Sequence, residues 1–283
     1  MQKLVEHIHA QHQGLKIKFE NSVGGGCINQ AFRVSSELGD LFLKVNTSNL
    51  VAMFEAEYHG LLEMRSSKSV FVPEPLFYGK CETHAYLLMR YEAMSGPANW
   101  KEMGEQLAQM HRNTSDRFGW DRDNTIGATQ QLNNRSDQWV HFFREFRLGF
   151  QVELARKNGL GLKRADELLD KLESFFEAEP LPSLLHGDLW SGNVGFTEKG
   201  EPAFFDPATH YGDRECDLAM TEMFGGFPEE FYKAYEKFWP IEKGYRQRKD
   251  LYQLYHVLNH YNLFGGGYGS QSEALINKLI KQA

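Results

Sequence analysis

Twenty-five residues, Leu184 to Ala208 (LLHGDLWSGNVGFTEKGEPAFFDPA), constrain this chain more than any other stretch, because they hold an acid, an amide and a second acid at telling intervals. Asp188 stands in a short loop, Asn193 follows five positions later, and Asp206 comes after a strand-turn-strand pattern. A carboxylate beside a hydroxyl can accept its proton as phosphorus is attacked, and Mg²⁺ takes its ligands from carboxylate, amide and water oxygens. The stretch therefore predicts phosphoryl transfer from ATP, with Asp188 as the base and Asn193 and Asp206 as metal ligands.

The upstream chain offers the other parts that such chemistry needs. After a first helix to about Gln13, the runs Lys16–Val23 and Ala31–Ser35 alternate apolar and polar residues, and Gly24, Gly25, Gly26 and Cys27 lie between them. Glycines let backbone N–H groups approach phosphate oxygens, so this turn is a candidate cover for the ATP phosphates. A plain hairpin competes with that reading, since neither G-x-G-x-x-G nor a Walker motif is present. The next strand, Asp40–Asn46, sets Lys44 among alternating apolar residues. In kinases the third strand carries a phosphate-binding lysine that pairs with a glutamate on the following helix; a solvent-facing lysine on an edge strand is the alternative. The helix Leu50–Arg65 holds two candidate partners, and Glu57 shares its stripe with Phe54, Leu61 and Met64, whereas Glu55 lines up with Glu63 on a more polar one. Glu57 is thus the expected partner. Strands at Leu76–Tyr78 and Ala85–Tyr91 follow, and Arg90, Tyr91 and Glu92 read as an inter-lobe hinge whose backbone meets the adenine. Met89 lines either the base pocket or the core.

Beyond the hinge the pattern turns helical, with candidate helices at Lys101–Arg112, Ser136–Lys157, Leu162–Glu177, Asp213–Phe224, Glu229–Trp239, Gly244–Leu263 and Ser270–Gln282. Arg117–Asn134 is polar and aperiodic, either a substrate flap or a surface loop. The expected fold class is α+β and bilobal: a five-stranded antiparallel N-terminal lobe with one helix over 1–92, and a mainly helical C-terminal lobe over 93–283. A length of 283 residues, 41% of them hydrophobic, suffices for two cores. The net charge of −7 argues against a nucleic-acid partner held by phosphate attraction. No apolar run approaches the roughly 18 residues of a membrane span, and the N-terminus lacks a signal-peptide core, which predicts a cytoplasmic protein without a membrane partner. Cys27, Cys81 and Cys216 make neither a disulfide framework nor a zinc site, and the spacing of His7, His9 and His12 spreads them around a helix.

The strings LLHGDLWSGNV, FDPATHYGDRECDLAM, MFGGFP, FLKVN followed by MFEAE, and GGGCIN together resemble the fructosamine/ketosamine 3-kinase family, whose fold is shared with aminoglycoside phosphotransferases and protein kinases. The resemblance implies transfer of the ATP γ-phosphoryl group to the 3-hydroxyl of a ketosamine, the sugar adduct of an amine or protein lysine, followed by loss of the adduct and hence deglycation. It implies Asp188 as base, Asn193 and Asp206 on Mg²⁺, Lys44 with Glu57 orienting phosphates, and His186 with Asp217 bracing the catalytic loop. Trp190, two positions from the base, is the candidate substrate contact. Cys27 matches a cysteine of the family and is a redox candidate, so a monomer or a redox-dependent dimer is expected. An aminoglycoside- or choline-type kinase and a non-catalytic nucleotide-binding regulator are the competing functions.

Overall fold

Alternation along the N-terminal strands decides which side chains face which layer. The computed structural model describes residues 1–24 and 29–283. Helix α1 (Gln2–Gln11) precedes strands β1 (Ile17–Ser22), β2 (Gln30–Ser36) and β3 (Gly39–Thr47); helix α2 (Val51–Ser66) then leads to β4 (Pro75–Lys80) and β5 (His84–Arg90). The strands form one antiparallel sheet in the order β1-β2-β3-β5-β4. Leu41, Leu43 and Val45 of β3 pack with Leu4 and Ile8 of α1 on one face. Because side chains alternate, Phe42 and Lys44 point to the other face, toward α2. Lys44 therefore sits on a central strand, opposite Ala31 and Leu87, and not on a solvent edge. Of the expected phosphate-covering turn only Gly24 is described; Gly25, Gly26 and the redox candidate Cys27 lie outside the described residues.

The C-terminal lobe is mainly helical. Helix α3 (Trp100–His111) is capped by Asn99, whose side chain accepts from the Glu102 N–H. Gly104 on α3 lets helix α8 (Glu229–Phe238) approach backbone to backbone, since a Cβ there would stand 2.2 Å from Phe231 O. The supposed loop Arg117–Asn134 contains a hairpin, β6 (Asn124–Ile126) and β7 (Thr129–Gln131), turning at Gly127 with φ +61°. The helix expected over Ser136–Lys157 begins at Trp139, and a π-helical turn over Arg144–Leu148 separates α4 (Trp139–Phe143) from α5 (Gly149–Lys157). The one expected over Leu162–Glu177 is broken into α6 (Ala165–Asp170) and a 3₁₀ turn, Leu172–Phe175.

Short strands then frame the central stretch: β8 (Ser183–Leu185), β9 (Val194–Phe196), β10 (Pro202–Phe204) and β11 (His210–Gly212), pairing β9 with β10 and β8 with β11. The chain closes with α7 (Glu215–Thr221), α8 (Glu229–Phe238), α9 (Tyr245–Phe264) and α10 (Tyr268–Gln282). Trp139, Phe142, Val152, Leu251 and Leu258 centre the helical core, while Leu107, Leu184, Phe204, Leu218 and Phe231 join α3, the central stretch and α8 to α2. No helix among the described residues is long and apolar enough to cross a membrane.

Candidate active site

The loop between β8 and β9 is held by its own backbone. Gly187 adopts φ +84°, and a Cβ there would lie 2.2 Å from Ala208 O, so the position requires glycine twice over. Asp217, at the buried start of α7, accepts from the His186 N–H at 2.7 Å and from the Gly187 N–H at 2.8 Å. His111 Nε2 contacts the same carboxylate at 3.1 Å. Burial pushes the Asp217 carboxyl up, but the hydrogen bonds it accepts, from His111 above all and from the Gly187 N–H, outweigh it and hold the group below its ordinary value. His186 is lowered chiefly by burial and is therefore neutral; its Nε2 donates to Phe205 O at 3.0 Å and its Nδ1 accepts from the Asp188 N–H at 3.2 Å. His186 and Asp217 thus fix the backbone that leads into Asp188 and tie it to Phe205 O.

Asn193 stands over Asp188, with Nδ2 2.9 Å from Asp188 O and 3.2 Å from its Oδ2. Burial, then the nearby Asp206, raises the Asp188 carboxyl to about 7 against the pull of Asn193. A carboxylate poised there is matched to general-base work near neutral pH. Asp206 is brought alongside after the β9–β10 turn, at φ +57°, a backbone region that aspartate tolerates better than most residues. Lys44 Nζ donates to Glu57 Oε1 at 2.7 Å and also contacts Asp206 Oδ1 closely. Lys44 is only 5% exposed; burial pulls its value down, yet Asp206 and Glu57 outweigh it and keep the ammonium charged. Glu57 moves up to about 7, because burial, with Asp206 competing for the same ammonium, exceeds the pull of Lys44.

These groups line one cleft of about 730 Å³ between the lobes, together with Gly24, Met89, Arg90, Tyr91 and Glu92. The hinge differs from expectation in detail. The N–H groups of Arg90 and Tyr91 are already bound to Glu74 O at 2.8 Å and Asp40 O at 3.2 Å, so neither is left for a base. The Arg90 side chain reaches back to Leu38 O and Glu74, and Arg33 stacks on Tyr91 with its guanidinium 4.7 Å from the ring centre.

At the other end the cleft has an aromatic wall. Trp190 lies over Gly192, where a Cβ would meet the indole at 2.3 Å, and packs edge-on to Phe224 at 5.9 Å. Phe224 contacts His260 at 5.2 Å, and His260 contacts Tyr268 at 5.1 Å. Phe224 is 47% exposed and held at φ +53°, ahead of Gly225 and Gly226. A bulky residue in that region is strained, and the strain presents its ring to the cleft. Among the described residues the acids lining the cleft are Glu57, Glu92, Asp188 and Asp206, and none of them stands on the aromatic wall.

Among the described residues no group of three His, Cys, Asp or Glu side chains converges on a metal position. The donors available beside Asp188 are instead carboxylate and amide oxygens, Asp206 and Asn193, which suit a hard cation such as Mg²⁺ that keeps several waters. Sequence reasoning missed His111, although a lone histidine following Met103, Leu107 and Met110 on the apolar side of α3 was visible. It also missed Phe224, His260 and Tyr268, which lie far apart in the chain and whose spacing carries no motif.

A family model described as fructosamine kinase matches residues 1–282. The probable ketoamine kinase of Synechocystis sp. is 44% identical over 274 residues, covering 95% of this chain and 92% of the relative. The chloroplastic protein-ribulosamine 3-kinase of Arabidopsis thaliana is 41% identical over 284 residues, covering 98% and 87%. A crystal structure of a candidate fructosamine-3-kinase from Haemophilus somnus aligns with a TM-score of 0.90 at 30% identity, covering 99% of this chain and 97% of that one.

Proposed function

The chain belongs to the fructosamine kinase family and is an ATP-dependent ketosamine kinase, and on that premise we propose that it phosphorylates the 3-hydroxyl of fructosamine-, ribulosamine- or erythrulosamine-type adducts, on free amines or protein lysines, and so serves deglycation. The observation that carries the reading is that Asp188, Asn193, Asp206 and the Lys44–Glu57 pair meet at one end of a cleft whose other end is aromatic and, among the described residues, free of carboxylates. A polycationic aminoglycoside would call for acidic groups on that wall. A sugar with one attached amine suits Trp190 and Phe224, whose faces hold apolar sugar surface and attract a single cation.

In the proposed reaction Asp188 takes the proton of the attacking hydroxyl as its oxygen bonds to the γ-phosphorus and the bond to the departing ADP oxygen breaks. Lys44, kept charged and aimed by Glu57, holds the phosphates, and Asn193 orients the Asp188 carboxylate. Asn193 and Asp206 would hold Mg²⁺, which supplies positive charge against the phosphate oxygens. Gly24 would border the phosphates; Met89 and Glu92 would border the base. The lobe division at 92/93 and a cytoplasmic place of work complete the reading. The test is a panel of ketosamines and of aminoglycoside and choline acceptors with coupled ADP detection and phosphorus NMR of the product. Turnover on ketosamines with the phosphate on O3 is expected; turnover confined to the other alcohols, or nucleotide binding without turnover, overturns it.

A further inference from the structure

Helix α2 carries Glu57, and the face it turns to the C-terminal lobe is tied down at three levels. Two residues before Glu57, Glu55 lies 3.9 Å from Arg122. Three residues after it, Gly60 offers bare backbone to the segment that follows Asp206: a Cβ there would stand 2.9 Å from Thr209 Oγ1, 3.3 Å from Thr209 Cβ and 3.5 Å from Pro207 Cγ. Six residues after it, Glu63 Oε1 accepts from the Tyr211 hydroxyl at 2.7 Å. Gly60 and Glu63 share a helix face at i, i+3, and Pro207, Thr209 and Tyr211 recur at the two-residue period of extended chain. The two elements therefore meet along matched edges.

The segment on the other side of this contact is itself immobilised. Asn124 Nδ2 donates to Thr209 O at 2.7 Å, Gln131 Nε2 to Ala208 O at 3.1 Å, and the Ala208 N–H to His186 O at 2.8 Å. The Thr209 hydroxyl is buried and has no hydrogen-bond partner among the described residues, so what it contributes against Gly60 is fit. The β6–β7 hairpin thus acts on α2 both directly, where β6 lies against the helix, and through the chain that leaves the metal aspartate.

We propose that Tyr211 and Thr209 are positioning residues for the nucleotide: by gripping Glu63 and Gly60 of α2 they keep Glu57 on Lys44. One stretch, Asp206–Tyr211, then sets both the metal ligand and the phosphate-orienting pair, and α2 is docked without any activating input. The inference rests on reading Lys44 and Glu57 as that pair. If the docked state is only partly populated in a variant, nucleotide affinity falls by the docked fraction.

Calorimetric titration with Mg²⁺ and AMP-PNP tests this without an acceptor. Tyr211→Phe and Glu63→Ala are expected to weaken binding about 3- to 10-fold, whereas Glu63→Gln, whose amide oxygen still accepts, stays within about twofold of wild type. Gly60→Ala should weaken binding as well, and adding Thr209→Ala should restore part of it by removing the nearest atom; if Gly60→Ala does not fold, the Tyr211 and Glu63 variants decide. Wild-type affinity in Tyr211→Phe and Glu63→Ala, or equal weakening in Glu63→Gln and Glu63→Ala, overturns the proposal. A wild-type protein that binds no nucleotide removes the reading of the cleft itself, and the positioning role with it.

Discussion

Asp217→Asn isolates the grip on the catalytic loop. The buried carboxylate receives three donors: the His186 N–H at 2.7 Å, the Gly187 N–H at 2.8 Å and His111 Nε2 at 3.1 Å. His111 is lowered chiefly by burial, so it is neutral, and Nε2 must carry the proton while Nδ1 accepts from the Tyr235 hydroxyl at 2.8 Å. Every contact on Asp217 is thus a donor, and an amide nitrogen at either oxygen position would oppose one. In the better orientation it opposes Gly187 alone. That loses a hydrogen bond to a charged group, about 1.5 to 3 kcal/mol, and leaves a buried N–H unsatisfied for about 1 to 3 more, about 2.5 to 6 kcal/mol together. At about 2 to 3 °C per kcal/mol for a chain of this size, the melting temperature should fall by about 5 to 18 °C.

Turnover, measured well below both melting points, should fall as well, because the same N–H groups aim Asp188. The pH dependence has a definite sign. Since the folded Asp217 carboxyl lies below its ordinary value, its stabilisation is present above about pH 4 and is lost as pH falls through the folded value, so the deficit of the variant should shrink in acid. Differential scanning fluorimetry from pH 7 downward, with turnover assayed in parallel, measures both. A melting temperature within about 2 °C of wild type at pH 7, with unchanged turnover, would refute the reasoning.

Asp188→Asn should lower turnover by about 10² to 10⁴ while leaving nucleotide affinity near wild type, and a variant with wild-type turnover would remove Asp188 as the base. Because the Asp188 carboxyl is raised to about 7 and must be ionised to accept a proton, kcat/KM should decline toward acid below that value; a flat profile down to pH 5, an interval of roughly two units, would contradict the assignment. Trp190→Ala should raise the ketosamine KM about 2- to 30-fold with the ATP KM unchanged, the range that an aromatic contact of about 0.5 to 2 kcal/mol allows. An unchanged ketosamine KM would show that the indole serves only its loop and Gly192.

The parts of the site that could be read along the chain are those whose spacing is itself chemical. Asp188 and Asn193 are bonded five residues apart because the loop between them is short, and Glu57 was separable from Glu55 because a helix repeats every 3.6 residues. Arg117–Asn134 read as loop because strands of three residues are too short to show a period, and its buried Asn124 and Gln131 look polar until their partners, the backbone oxygens of Ala208 and Thr209, are in place. Arg90, Tyr91 and Glu92 line the cleft, but strand pairing and the Glu74 and Asp40 carbonyls have claimed the N–H groups of Arg90 and Tyr91. Backbone satisfaction of that kind leaves no trace in side-chain identity.

Local sequence alone carried the Asp188–Asn193 spacing, the second aspartate and the periodicities that make a strand-rich lobe precede a helical one, because each depends on residues within a few turns or strand repeats of one another. Tertiary structure decided the rest. It made Lys44 a buried ion shared by Glu57 and Asp206. It raised Asp188 by burying it beside Asp206, and it gathered Trp190, Phe224, His260 and Tyr268 into one wall. It also set Tyr211 against Glu63, 148 positions apart. Electrostatic shifts and aromatic contacts act through space over a few ångströms, and only the packed chain brings such distant residues within that range.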